Sequence, residues 1–438
     1  VAEDTYTSYI RVTGVGAGRS FAITLTGTWV GTLTLQRSVT EPGDWTTVTT
    51  YTTGTNTTYD DTLANQVIYY RIGFRTGAFT SGSVAASLIY SSGTIEGIGI
   101  VTGYTNAKNV SLDVLRDFGS TSLTASWWEG AWSPRRGWPS AVVLHDGRLW
   151  WAGKDRIAGS VSDAFNSFDD TVEGDSGPIF RTIGSGPVDT INWLVSLSSM
   201  LVGGQGREFV AKASSLDEPL TPTAFTLKTA GTLGSAAIRA VQLDASAVYV
   251  HRNGSRVYEI SLDGATYNYV SNDLTSVVPE IGATGFVRIA VQRVPDTRIH
   301  CVRADGTAAI LVFDRIEKVT CWVLYETDGV IEDVVITPSV NSEDVVQYTV
   351  ARTVNGTTKR YFEKWSLDSE AVGAATTVLT DASIEYTGAS TATITGLGAH
   401  EGETVVVWGN GKDLGSYVVT GAQITLSEAV TYACIGKP

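Results

Sequence analysis

AVYVHRNGSRVYEISL, residues 247–262, reads as two short strands of alternating apolar and polar side chains around the dipeptide Asn253-Gly254. Period-two alternation on both sides of such a dipeptide is the signature of a β-hairpin. The unit recurs. RLWWAG with RIAGSVS spans residues 148–162, MLVGGQG with REFVAKA 200–213, RIHCVRADG with TAAILVFD 298–314, and DVVQYTVARTVNG with TTKRYFEKW 344–365. The first strands begin near Arg148, Met200, Ala247, Arg298 and Val345, at intervals of 52, 47, 51 and 47 residues. A repeat of about 50 residues made of hairpins predicts a β-propeller of about five blades over residues 139–365. INWLVSLS before the second unit and VTCWVLYE after the fourth supply flanking strands, so four strands per blade are expected. Asn253-Gly254, Asn355-Gly356, Asp146-Gly147 and Asp305-Gly306 favour positive φ and predict type I′ turns.

Outward from the repeat, the pattern stays β. Residues 1–95 hold SFAITLTG, TLTLQRS, WTTVTTY, VIYYRIGFR and SVAASLIY, with Gly-rich or EPGD turns about every ten residues, which predicts an immunoglobulin-like β-sandwich. Residues 96–138 form a linking hairpin, GIGIVTGY with NVSLDVLRDF, and a Trp-rich junction, SWWEGAWSPRRGWP. Residues 366–438 read as a small acidic β domain with a hairpin around Asn410-Gly411. The expected class is all-β.

Composition agrees. Of 438 residues, 43% are hydrophobic and 17% charged, which excludes a disordered chain, and 12 Trp and 18 Tyr against one Met argue for strands over helices. The net charge of −14 is the wrong sign for gripping nucleic acid. Residues 366–438 carry two basic residues against eight acidic ones. Cys301, Cys321 and Cys434 are too scattered for a disulfide framework or a CxxC metal pair and read as reduced thiols. No apolar run approaches the roughly 20 residues of a helical membrane span. The start, VAEDTYTSYIRV, lacks Met and a signal-peptide pattern, so a processed chain or a piece of a longer one is expected.

Motifs that suggest chemistry fail on their surroundings. GDSGP, residues 174–178, has the frame of a chymotrypsin-like nucleophile, but the one upstream histidine, His145, lies only 31 residues before Ser176, too close for two barrels to be laid out around a triad. His145, His251, His300 and His400 are isolated, with no HxH or HExxH spacing, so neither a metal nor a catalytic base is expected. GVGAGRS, residues 14–20, precedes no helix that could cradle phosphate. RSVTEPGDWTTV, residues 37–48, loosely follows the Asp-box turn of sialidases but occurs once, outside the repeat, without a stand-out pair of carboxylates. Trp127, Trp128, Trp132, Trp138, Trp150 and Trp151 could form a carbohydrate platform; the reading preferred here is a buried plug at the junction of sandwich and first blade. No catalytic, cofactor or metal residue is expected.

A family resemblance runs through SWWEGAWSPRRGWPSAVVLHDGRLWWAG, SVSDAFNSFDD, LVGGQGREFV, LTPTAFTLKTAGTLGS, SNDLTSVVPE, CWVLYETDG, VARTVNGTTKRYFEKW and GLGAHEGETVVVWGNG. Across nearly the whole chain these segments resemble the bacteriophage and prophage tail proteins variously called tail nozzle, tail tubular or stabilization proteins of short-tailed phages. The resemblance implies a propeller-bearing structural subunit of the virion tail, assembled in the bacterial host cytoplasm. Its implied partners are further copies of itself in a ring, usually six-fold, the adaptor and portal-proximal proteins, and tail fibres or spikes. DNA would pass through the ring without specific binding. Such proteins usually have an additional N-terminal region and run on beyond the GKP that ends this chain. Where those parts make the contacts between subunits, this chain alone is expected to be monomeric.

The charge fits a conduit, because a basic bore would hold phosphates through counterion release. Glu401, Glu403, Asp413 and Glu428 are therefore candidate lumen-facing acids, with a solvated acidic face as the plainer reading. A tail-associated glycan-binding or glycan-degrading propeller protein is the alternative.

Overall fold

The computed structural model describes residues 4–12, 19–39, 42–61, 68–90, 97–116, 118, 127–170, 172–184, 189–214, 218–339, 343–373 and 375–438. The described residues form no α-helix; three short 3-10 turns interrupt an antiparallel β protein. Contacts divide the chain into two compact units, Val1–Val188 with Ala211–Leu227, and Asp189–Val210 with Lys228–Pro438.

The N-terminal strands are β1 (Ile10–Val12), β2 (Arg19–Val39), β3 (Thr46–Tyr51), β4 (Thr55–Asp61) and β5 (Ile68–Tyr90). They make one five-stranded sheet, not the two-sheet immunoglobulin-like sandwich expected from the spacing of turns. β2 and β5, of 21 and 23 residues, pair along their whole length, and β3 and β4 follow one another along the other edge of β2. Phe21, Ile23 and Leu25 from one half of β2 share a single core with Leu33 and Leu35 from the other half, so the sheet is bent upon itself. Gly27 lies at the bend with φ +116°, where a Cβ would sit 2.4 Å from the Ser83 carbonyl oxygen. A residue that reads as a turn in sequence here curves a continuous strand.

Among the described residues, β6 (Ile98–Asn106) and β7 (Asn109–Arg116) pair with each other alone, in the hairpin expected for residues 96–138.

Five consecutive meanders follow. β8 (Ala141–His145), β9 (Arg148–Gly153), β10 (Arg156–Gly159) and β11 (Ile179–Thr182) form the first. β12 (Ile191–Ser196), β13 (Met200–Gly204), β14 (Glu208–Lys212) and β15 (Thr226–Gly231) form the second. β16 (Val241–Leu243), β17 (Ser246–Val250), β18 (Val257–Leu262) and β19 (Tyr269–Asp273) form the third. β20 (Phe286–Gln292), β21 (Arg298–Arg303), β22 (Ala308–Asp314) and β23 (Val319–Tyr325) form the fourth. The fifth has three strands, β24 (Val330–Thr337), β25 (Val345–Val354) and β26 (Thr357–Lys364). Each contains one of the five hairpins read from sequence.

Within the second unit, successive sheets share their cores. Trp193, Val195 and Leu201 of the second meander cluster with Ala247, Tyr249 and Ile260 of the third. Val248, Val250 and Val257 of the third cluster with Ile289, Ile299 and Leu311 of the fourth, and Val302 and Ala308 of the fourth with Ile331 and Tyr348 of the fifth. A sheet covered on both faces needs near-continuous apolar strands, which is why IHCV and AAILVF show little alternation. The strands β12, β16, β20 and β24, each the first of its meander, lie next to one another in turn.

Turn chemistry follows the sequence in part. Asp146 and Gly147, Asn355 and Gly356, and Asn410 and Gly411 all have positive φ, as a type I′ turn requires. At Asn253-Gly254 and Asp305-Gly306 the glycine alone does. There the side-chain oxygens of Asn253 and Asp305 accept from the N–H groups of Ser255 and Thr307, so these are Asx turns in longer loops, correcting the type I′ expectation.

β27 (Asp381–Thr395), β28 (Thr404–Gly409), β29 (Lys412–Val418) and β30 (Gln423–Lys437) form the C-terminal sheet in the order β27-β30-β28-β29. Its core includes Ile394, Val405, Val407, Ile424, Val430 and Ile435.

Candidate functional site

The Trp-rich segment is built around Glu129. Its carboxylate accepts from the Arg135 guanidinium, the Ser133 hydroxyl and, at 3.1 Å, Arg136 Nε, and the first two interactions lead in holding its pKa down at about 2. Ser133 and Gly137 exchange backbone hydrogen bonds, and Lys154 Nζ donates to the Arg135 carbonyl at 3.3 Å. The closed loop carries its rings outward: Trp127, Trp128 and Trp138 are 61%, 66% and 63% exposed. Trp132 and Trp151 are half-buried, and Trp150 alone is fully buried, stacked on Phe225 with ring centroids 5.8 Å apart. The three exposed rings correct the expectation of a buried plug. Polar groups close the loop internally, so the rings are not required to fill it.

The acidic candidates are all engaged within the C-terminal sheet. Glu401 accepts from the N–H groups of Gly421 and Ala422 at 2.9 and 2.6 Å, and Asp413 from that of Gly415 at 2.8 Å. Glu403 pairs with Lys437 at 2.9 Å and Glu428 with Lys412 at 3.2 Å. Glu401 and Glu403 precede β28, whereas Asp413 and Glu428 meet the turn after it. Six residues of strand, roughly 20 Å at about 3.3 Å per residue, separate the two groups. They are two partly neutralised pairs of acids, and do not make one bare cluster.

GDSGP wraps a buried arginine. Arg148, 2% exposed, donates to the carbonyls of Asp175, Gly177 and Ser160 at 2.5, 2.6 and 2.6 Å, and the Ser176 carbonyl accepts from the Ser162 N–H at 3.0 Å. Burial weakens the basicity of Arg148, opposed by Asp163, Asp146 and Asp175. The motif holds Arg148 through its carbonyls, and the Asp175 carboxylate also accepts from the Thr223 hydroxyl at 2.9 Å.

Each histidine has its own setting. His145, at the end of β8, is buried 3.3 Å from Asp146; burial lowers its pKa and the carboxylate opposes this. His251 Nδ1 accepts from the Asn253 N–H. His300 lies 2.6 Å from the Tyr348 hydroxyl and 3.1 Å from Gln292 Oε1, and burial, then Arg298, depress its pKa to about 3. His400 Nε2 donates to the Ala382 carbonyl at 2.9 Å, and burial lowers its pKa also. Among the described residues no three His, Cys, Asp or Glu side chains gather as metal ligands would. Cys301 and Cys434 are buried and Cys321 exposed, all three free, and burial pushes the Cys301 thiol up. Residues 14–18 of GVGAGRS, and Thr40 and Glu41 of RSVTEPGDWTTV, lie outside the described residues. No described helix is long and apolar enough to cross a membrane.

Sequence reasoning missed Glu208. It is 0% exposed on β14, near the Leu233 and Gly234 N–H groups and the Tyr249 hydroxyl, yet neither carboxyl oxygen completes a hydrogen bond of ordinary geometry. Burial raises its pKa against the pull of those donors. The sequence signal is slight, a short strand EFVAK that opens on the acid; the structure buries Glu208 to Ala211 in succession, and so carries the acid inside.

Compared with protein-family models the chain matches none, and a comparison with curated proteins likewise gave no match.

Proposed function

We propose that this chain is a structural component of a short-tailed phage tail, a subunit of the nozzle or tail tube through which DNA leaves the particle, and that its five meanders are blades of a β-propeller. The observation that carries this reading is the meander repeat itself, one hairpin per sheet about every 50 residues, with successive sheets of the second unit sharing cores. The motifs quoted above, which resemble the tail-protein family, supply the tail assignment. In this reading the subunits form a ring, the acids of residues 366–438 contribute to its bore, and contacts run to portal-proximal and fibre proteins. Of the four candidates, Glu428 is the cleanest lumen probe, because Glu401 and Asp413 hold turns and Glu403 shares Lys437 with Asp328.

The test is electron cryomicroscopy of purified particles together with mass spectrometry of their tails. The chain is expected in the tail, as a ring around the DNA path; tails that lack it would overturn the proposal.

The exposed tryptophans favour a second reading, a glycan-binding module. Trp127, Trp128 and Trp138 stand on a loop fixed by the Glu129 network, and rigid exposed rings suit stacking on sugars. Quenching of their fluorescence by host-surface oligosaccharides is the corresponding observation.

A further inference from the structure

We propose that the Trp-rich loop of residues 127–138 is a binding site for acidic saccharides, short glycans whose sugar rings carry carboxylate or phosphate groups. The inference deepens the glycan-binding reading of the same loop and rests on it.

Exposed indole rings by themselves accept sugars with little discrimination, because stacking uses an apolar ring face. What selects is the charge set beside them. The turn between β9 and β10 brings two cations to the loop. Lys154 Nζ donates to the Arg135 carbonyl at 3.3 Å, and its stem runs against Gly137, where a Cβ would lie 2.5 Å from Lys154 Cε. Arg156 Nη1 donates to the Ala131 carbonyl at 3.4 Å. Ala131 and Gly137 directly precede Trp132 and Trp138, so the ammonium and the guanidinium arrive next to the ring-bearing positions. Arg135 adds a third cation, its side chain 74% exposed even while it binds Glu129.

The balance of charge is local and opposite to that of the chain. Residues 127–138 and 154–156 hold Arg135, Arg136, Lys154 and Arg156 against Glu129 and Asp155, a surplus of two positive charges in a protein of net −14. The Glu129 carboxylate is already engaged by Ser133, Arg135 and Arg136, so it adds little repulsion toward an incoming anion. Each of the two carbonyl bonds takes one N–H, from an ammonium that has three and a guanidinium that has five. Charge-assisted donors therefore stand beside rigid rings, the combination that grips a carboxylate or phosphate carried on a sugar.

The size of the surplus sets the class of ligand. A nucleic acid is held in proportion to the phosphates neutralised, and two charges neutralise few before the strand meets an acidic chain. An anionic bilayer presents a broad negative surface to the same −14. A glycan of a few rings with one or two acidic groups matches the loop in both charge and extent.

Titration calorimetry of the full chain tests the proposal with two matched pairs, sialyllactose against lactose and trigalacturonate against its methyl ester. The acidic member of at least one pair is expected to bind about tenfold more tightly than its neutral counterpart, and added salt to narrow the gap. Lys154→Gln combined with Arg156→Gln should bring the acidic member down to the affinity of the neutral one, whereas Trp128→Ala should weaken both. The salt dependence needs no variant, so the test holds even where the double substitution perturbs the loop. Equal affinity within both pairs would overturn the acidic selectivity and leave the glycan reading standing. Absence of binding by all four sugars would remove both. Tighter binding to phosphatidylglycerol vesicles or to a single-stranded oligonucleotide than to either acidic sugar would also overturn the proposal and give the loop to that partner.

Discussion

The N-terminal sheet and the meanders of the second unit bury similar side chains by opposite means. In the first, one sheet of very long strands curves until the two halves of β2 face a common core. In the second, short strands make small sheets, and the cores lie between one sheet and the next. The difference concerns cooperativity. A curved sheet is its own unit of stability, whereas a small sheet whose two faces belong to two cores depends on both neighbours, in the manner of a repeat protein whose stability is carried by nearest-neighbour interfaces.

The largest expected effect tests that dependence. Trp193 is almost fully buried, its ring 5.5 Å from that of Tyr249 on the next sheet, and Gly203 leaves room beneath it, where a Cβ would lie 1.9 Å from the indole. Trp193→Ala should cost about 3–5 kcal/mol by chemical denaturation. Amide exchange should accelerate in β12–β15 and β16–β19 alike; acceleration confined to β12–β15 would show that the sheets do not share stability.

Gly27→Val probes the other architecture. It places a β-branched residue at φ +116° with its Cβ against the Ser83 carbonyl, a strain of roughly 1–3 kcal/mol. Increased exchange should stay within β1–β5, and spread into the meanders would remove the distinction drawn above.

The smallest effect is a pH dependence from Glu208 in the second meander. A carboxyl whose folded pKa is raised takes up no charge while the unfolded state ionises, so it lowers stability as pH climbs above the unfolded value near 4.5. Glu208→Gln should therefore be more stable than wild type at pH 8, by on the order of 1–2 kcal/mol for a poorly bonded buried carboxyl, and should match it at pH 4. Equal thermal denaturation midpoints at pH 8 would mean that the carboxylate is accommodated in the fold.

What could be read from sequence divides along the same line. The five hairpins were legible because a hairpin is local: alternation on both sides of a Gly-containing turn specifies it within about 16 residues, as in 247–262. The curved sheet was not, because Gly27 curving a strand and a glycine ending one look alike, and only the pairing that runs on past it, Thr26 with Ala85 and Thr28 with Ser83, distinguishes them. Trp150 and Trp128 read as equivalent rings; Trp150 is interior because it lies on β9 against Phe225, and Trp128 is exposed on the loop that Glu129 closes with Arg135 and Arg136. The acids of the C-terminal sheet were visible as charges, whereas their partners Lys412 and Lys437 are set by strand pairing.

Arg148 bears on how much sequence change its surroundings can absorb. Its guanidinium holds the loop through the carbonyls of Asp175, Ser176 and Gly177, atoms that every residue type possesses. Side-chain identity in the loop is therefore constrained at Gly174, whose φ is +80°, and at Gly177, where a Cβ would lie 2.4 Å from the Val172 carbonyl oxygen, and outside it at one distant position where even lysine lacks the fork of donors needed to reach several carbonyls at once. A motif that looks like a catalytic signature of five letters is, in this fold, a turn kept by its two glycines and pinned by a sixth letter 27 residues before its aspartate.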